Sequence, residues 1–145
     1  MIHAPPPAPA VVVHGRADIA RACAPGLAMT LLSAPGAAIF AGPGWWLALA
    51  RLARADFGAL ISADILDCAD APGLALAALR LGQRTLILDP ACPAFTQIAA
   101  TASGLGASVL PTRPPALDLA SPTADRHLRD WLLRDWLHDN APKLR

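Results

Sequence analysis

The chain carries the tripeptide Ile-Leu-Asp twice, as Ile65-Leu66-Asp67 and as Ile87-Leu88-Asp89, 22 residues apart. That interval holds one apolar strand, a helix of about three turns and two short connections. Each copy closes an apolar run and is followed within five residues by a cysteine and a proline. The spacing therefore predicts two parallel strands whose polar ends share one edge of a sheet, the edge at which open α/β folds bind their ligands.

The rest of the chain continues the alternation. Val11 to His14 reads as a first strand ended by Gly15, and Asp18 to Ala24 as a short helix. Ala28 to Ser33 is a second strand stopped by Pro35-Gly36. Pro43 opens a helix from about Gly44 to Ala55, with Trp46, Leu49, Ala50 and Ala53 as its buried stripe. Leu60 to Asp67 is the third strand, Asp70 an expected N-cap for a helix from Pro72 to Gly82, and Thr85 to Leu88 the fourth strand. A helix from Pro93 to Ser103 and a strand from Ala107 to Leu110 precede the breaker Pro111-Thr112-Arg113-Pro114-Pro115. Strands alternating with helices imply a parallel sheet covered on its faces. The expectation is one α/β domain over residues 11–118, a three-layer α/β/α sandwich with five parallel strands. A Pro-rich tail over residues 1–10 precedes it, and residues 119–145 form a C-terminal amphipathic helix. Asp125 with Arg129 and Asp130 with Arg134 stand as i, i+4 pairs along that helix, and Ser121-Pro122 as its cap.

Composition removes several classes of function. Net charge is +1 with no basic run, so nucleic acid is not an expected partner. Lys143 is the only lysine and lies within the last three residues, which argues against Schiff-base chemistry. All 11 acids are aspartate. Ala22 to Ala50 has no charged residue and is long enough to span a bilayer. Pro25-Gly26, Pro35-Gly36 and Gly42-Pro43-Gly44 break it into pieces too short for one continuous helix, so no membrane partner is expected. Three cysteines and no secretory signal point to a reducing cytoplasm, and the Arg-over-Lys, Ala-rich usage to a bacterial source.

At fold level the chain resembles flavodoxin-like proteins, whose strand order 2-1-3-4-5 keeps the third and fourth strands adjacent; a Rossmann half, ordered 3-2-1-4-5, would separate them. Adjacent strands in matched register would set Asp67 and Asp89 ~5 Å apart, close enough to share a proton or hold a cation. The C-terminal strand ends also collect His14, Arg16, Ser33, Asp70 and Arg113. The catalytic candidates are Asp67, Asp89 and His14; Arg16 and Arg113 are candidate anion anchors, and Ser33 and Asp70 further ligand contacts. Asp89-Pro90 reads alternatively as a helix N-cap, and Asp67 with Asp70 as a turn. Cys68, Cys92 and His14 lack metal-motif spacing, so no metal is assigned. Gly42-Pro43-Gly44-Trp45-Trp46-Leu47 departs from a dinucleotide loop at its third small position, and the cofactor remains unknown. The expected function is binding or transformation of a small polar or anionic metabolite. The alternative is a non-catalytic module that forms a homo-oligomer through the Trp131 and Trp136 helix.

Overall fold

A computed structural model describes residues 8–134. Its strands are β1 (Ala10–Val12), β2 (Met29–Leu32), β3 (Ile61–Asp67), β4 (Thr85–Ile87), β5 (Ser108–Leu110) and β6 (Ala116–Asp118). The helices are α1 (Arg16–Cys23), α2 (Ala37–Phe40), α3 (Pro43–Phe57), α4 (Pro72–Arg80), α5 (Phe95–Gly104) and α6 (Ala124–Leu132). All six strands are parallel and form one sheet. The α/β class and the parallel sheet are as expected.

The strand order differs. It runs β5-β4-β3-β2-β1-β6, not 2-1-3-4-5, and there are six strands instead of five. From β1 to β5 each crossover steps to the next strand in the same direction. Right-handed crossovers that never reverse direction place their helices on a single face. The buried residues follow this rule. Val11, Val13, Met29, Leu31, Leu66 and Leu86 point into one cluster with Ile19 of α1, Trp46 and Leu49 of α3, Ala75 of α4, Ile98 of α5 and Leu128 of α6. The alternate residues Ala10, Val12, Leu32, Ile65 and Ile87 form a second cluster, packed with half-buried Leu110 and Ala116. Among the described residues, no helix contributes a buried side chain to that second cluster. The described residues facing a cavity on this side come from the strands, from Ala8 and Pro9 before β1, from Pro114 and Pro115, and from Trp131 of α6 and Arg134 just beyond it.

The added strand lies where a reversal would have placed β2. After β5 the chain returns through Pro111–Pro115 and lays Ala116–Asp118 beside β1, in register Ala10 with Ala116 and Val12 with Asp118. The sequence of β6, Ala-Leu-Asp, is a third apolar-Leu-Asp run. Its brevity and the two preceding prolines hide it from a periodicity argument, which needs more than three residues to register. From β6 the chain enters α6, whose Ala124, Leu128 and Leu132 are buried, while the Trp131 indole N–H donates to Ala10 O at 2.8 Å. The described turns of this helix thus pack on the chain's own core. Asp125 pairs with Arg21 of α1 at 2.8 Å, not with Arg129, and Thr123, without a side-chain bond to the helix N–H groups, takes the N-cap position expected of Ser121. Trp136 and the rest of the expected helix, residues 135–145, lie outside the described residues.

The uncharged stretch resolves into the end of α1, then β2, α2 and the first half of α3. Among the described residues no helix is long and apolar enough to cross a membrane. Pro43 takes the first turn of α3, where a missing N–H costs nothing, behind Gly42 at φ 90°. The expected stripe Trp46, Leu49, Ala50 and Ala53 is buried. Trp46 is fully buried, and its ring N–H donates to Asp64 Oδ2 at 2.9 Å. Asp64 also accepts from Arg54 at 2.6 Å and from the Gln83 amide at 2.8 Å. One carboxylate on β3 therefore anchors α3 and the turn before β4. Replacing Asp64 with Ala strands the buried Trp46 donor and leaves the Gln83 amide only its backbone acceptors, so a loss of about 2–3 kcal/mol is expected, read as a lower urea midpoint at unchanged m-value.

Candidate functional site

Strands β3 and β6 end in aspartate and β4 is followed by one two residues on, and each aspartate makes the same local bond. Asp67 Oδ1 accepts the backbone N–H of Ala69 at 2.8 Å, Asp89 Oδ1 that of Ala91 at 2.9 Å, and Asp118 Oδ1 that of Ala120 at 2.9 Å. The aspartate carboxylate is short enough to bond the amide two residues on and so turns the chain away from the sheet. This structural duty realises the turn reading for Asp67. The capping readings are not realised: Ala71 precedes α4 and Ala94 precedes α5, neither with a side-chain cap. Ala69 completes the first turn in the left-handed region at φ 49°, a conformation that costs an alanine about 1 kcal/mol.

Asp67 is almost wholly buried. Its second oxygen, Oδ2, receives Nη1 of Arg113 at 2.7 Å, and Arg113 Nη2 donates to Ser33 O at 3.0 Å. The backbone N–H of Asp67 donates to Ser33 Oγ at 2.9 Å. Ser33, Asp67 and Arg113 thus join the ends of β2 and β3 to the chain returning from β5. Above them is a cleft of about 370 Å³ formed by the turns after β2, β3, β4 and β5. Gly36, Asp67, Asp70, Asp89, Thr112 and Arg113 are among its lining residues. Four of the seven expected site residues therefore share one cavity, and Ser33 holds two of them from below.

The matched aspartate pair does not form. β3 and β4 are neighbours as expected, but Asp67 stands opposite Ile87, and the N–H of Asp89 bonds to Ala69 O at 2.8 Å. The motif repeats at 22 residues while the strands pair at an offset of 20. Asp89 is thus carried two positions, about 7 Å, farther along its strand. Asp70 and Asp89 are exposed at the cleft.

His14 lies on the same edge but beyond β2. Its Nε2 meets Asp118 Oδ1 at 2.7 Å, and its backbone N–H donates to Asp18 at 2.9 Å. Burial pushes the Asp118 carboxyl up. The His14 hydrogen bond, the Ala120 N–H and the charges of His14 and Arg113 together outweigh that and hold it below the ordinary aspartate range. Arg113 therefore acts on Asp67 by contact and on Asp118 through its field. Arg16 pairs with Asp56 of α3 at 3.5 Å and does not line the cleft. Sequence reasoning missed Asp118, and the third Leu-Asp run was the signal for it.

The thiols are poor nucleophiles. Burial, then the charge of Asp67, pushes Cys68 up to about 12. Cys92, whose Sγ lies 3.4 Å from Asp70 O, is raised by burial and by the charges of Asp89 and Asp70, and Cys23 by burial. Among the described residues no three histidine, cysteine or acidic side chains are grouped to hold a metal ion.

Replacing Arg113 with Met leaves the buried Asp67 carboxylate uncompensated. The expected loss is about 3 kcal/mol, at the low end for a buried pair because Arg113 keeps 27% of its side chain exposed. Asp67→Asn in the same background recovers part of it, so a double-mutant cycle by urea denaturation should give clearly non-additive losses. Asp118 yields a pH signature. A carboxyl lowered in the fold contributes stability above its unfolded value and loses it as pH falls through the folded one. The stability advantage of the native chain over Asp118→Asn should therefore be constant near neutrality and shrink as pH falls through and below the ordinary aspartate range, measured by denaturation at each pH.

The chain matches no known family model, and no curated protein matches it either.

Proposed function

We propose that the protein binds a small polar molecule in the cleft at the C-terminal ends of β3, β4 and β5, and that this molecule presents hydrogen-bond donors or a positive charge. The supporting observation is the lining itself: Asp67, Asp70, Asp89 and Arg113 converge on one cavity. Three carboxylates against one guanidinium leave it a formal charge of −2, counted as 1 − 3 over those four residues. The guanidinium is engaged by Asp67 and Ser33, so it is a poor anchor for an anion. Asp70 and Asp89 are the exposed acceptors, and a hydroxyl or ammonium group suits both. Volume supports a small ligand, at the lower end of ordinary small-molecule pockets.

The interaction-module reading draws less support from the same coordinates. The described apolar face of α6 is directed at the chain's own core through Leu128, Leu132 and the Trp131 bond to Ala10.

Thermal shift of the intact protein against a panel of polyols, amino sugars, short diamines, inorganic phosphate and nucleotides tests the proposal. An amine- or hydroxyl-bearing compound at a hundredfold excess over its Kd should add about 2.7 kcal/mol, a rise on the order of 6 °C or more. Asp70→Asn combined with Asp89→Asn should abolish the rise while leaving the unliganded melt nearly unchanged. Stabilisation by phosphate or nucleotides alone, lost in Arg113→Lys, would overturn the reading.

A further inference from the structure

The second face of the sheet carries a cavity of its own, about 370 Å³, independent of the cleft just described. Its walls include Thr30, Ile65, Leu110, Pro115 and Trp131, with Arg134 two residues beyond α6. The side-chain polar groups of Thr30 and Trp131 are already bonded within the chain. The Thr30 hydroxyl donates to Ala8 O at 2.7 Å and the Trp131 indole to Ala10 O at 2.8 Å. Arg134 is the only charged side chain among the described lining residues, and its guanidinium carbon stands 4.5 Å above the Trp131 ring. A cation over an aromatic face is held in place while its outer N–H groups still face outward.

We infer that this cavity binds an amphipathic carboxylate: a flat apolar body against Ile65, Leu110 and the prolines, with its carboxylate on Arg134. Size sets the body. An apolar cavity of roughly 150 Å³ holds one benzene ring, so this volume takes two fused rings or an equivalent chain. Charge sets the head, because a carboxylate is the group that a planar guanidinium bonds through two parallel contacts. Nothing else in the lining competes for it.

The test is a ¹H-¹⁵N NMR titration of the full chain with 2-naphthylacetate and, separately, with the neutral 2-naphthylethanol. The acid should saturate and shift the amides of Thr30 and Ile65 and the indole N–H of Trp131. It should bind about tenfold tighter than the alcohol, the increment expected of one charge-assisted contact. Arg134→Gln, at an exposed position just beyond α6, should make the two probes equal, and Arg134→Lys should restore most of the preference. Unresponsive Thr30, Ile65 and Trp131 signals, shifts centred on another surface, or a preference that survives Arg134→Gln would each overturn the inference.

Discussion

The pair between Asp67 and Arg113 is the contact on which the rest of the molecule turns. A carboxylate as buried as Asp67 needs a compensating charge, because an unpaired buried ion costs several kcal/mol. No residue near it in sequence supplies that charge. Arg113 does, from 46 positions away, because the chain leaves β5 and returns across the ends of β3 and β2 to reach β1. The path that delivers the guanidinium also delivers β6. Electrostatic compensation and the six-stranded order are in this sense one constraint, and the cleft lies where they meet.

That return path has a second consequence. Pro111, Thr112 and Arg113 line the cleft at the strand ends, whereas Pro114 and Pro115 line the apolar cavity on the second face. Five consecutive residues thus form parts of two cavities of opposite character. Three of the five are proline, which fixes φ and restricts the residue before it. Such a segment keeps Arg113 at a fixed height over Ser33 and Asp67 through its own restricted backbone.

Local features of this arrangement were legible in the residues and long-range ones were not. Helices α3, α4 and α5 and strands β2 to β5 fall within about two residues of their expected bounds, because periodicity, Pro43, Pro72 and the Gly-Pro punctuation are local signals. The edge on which Asp67, Asp70, Asp89 and Arg113 gather was equally readable, since parallel strands all end on the same side. Direction was the missing information. Val11 to Val13 carries no mark that says whether the second strand pairs on its left or its right, and a reversal would have given the flavodoxin-like order. Register was hidden for a related reason. Leu66 aligns with Leu86 instead of Leu88 through packing between neighbouring elements, and the tripeptide repeat measures chain length, not pairing.

The three Leu-Asp ends show how little of a functional role resides in a motif. Locally they are the same: an apolar strand, an aspartate, and a carboxylate closing a turn on the amide two residues later. What differs is the neighbour each carboxylate meets. Asp67 faces the returning chain and is neutralised by Arg113, and Asp118 faces β1 and meets His14. Asp89 sits two positions beyond its neighbour's end, past the reach of both. Among the described residues its carboxylate bonds only to the N–H of its own turn. The stagger that removes the aspartate pair is therefore what leaves one carboxylate open at the cleft. A ligand there would complete for Asp89 what arginine and histidine complete for the other two.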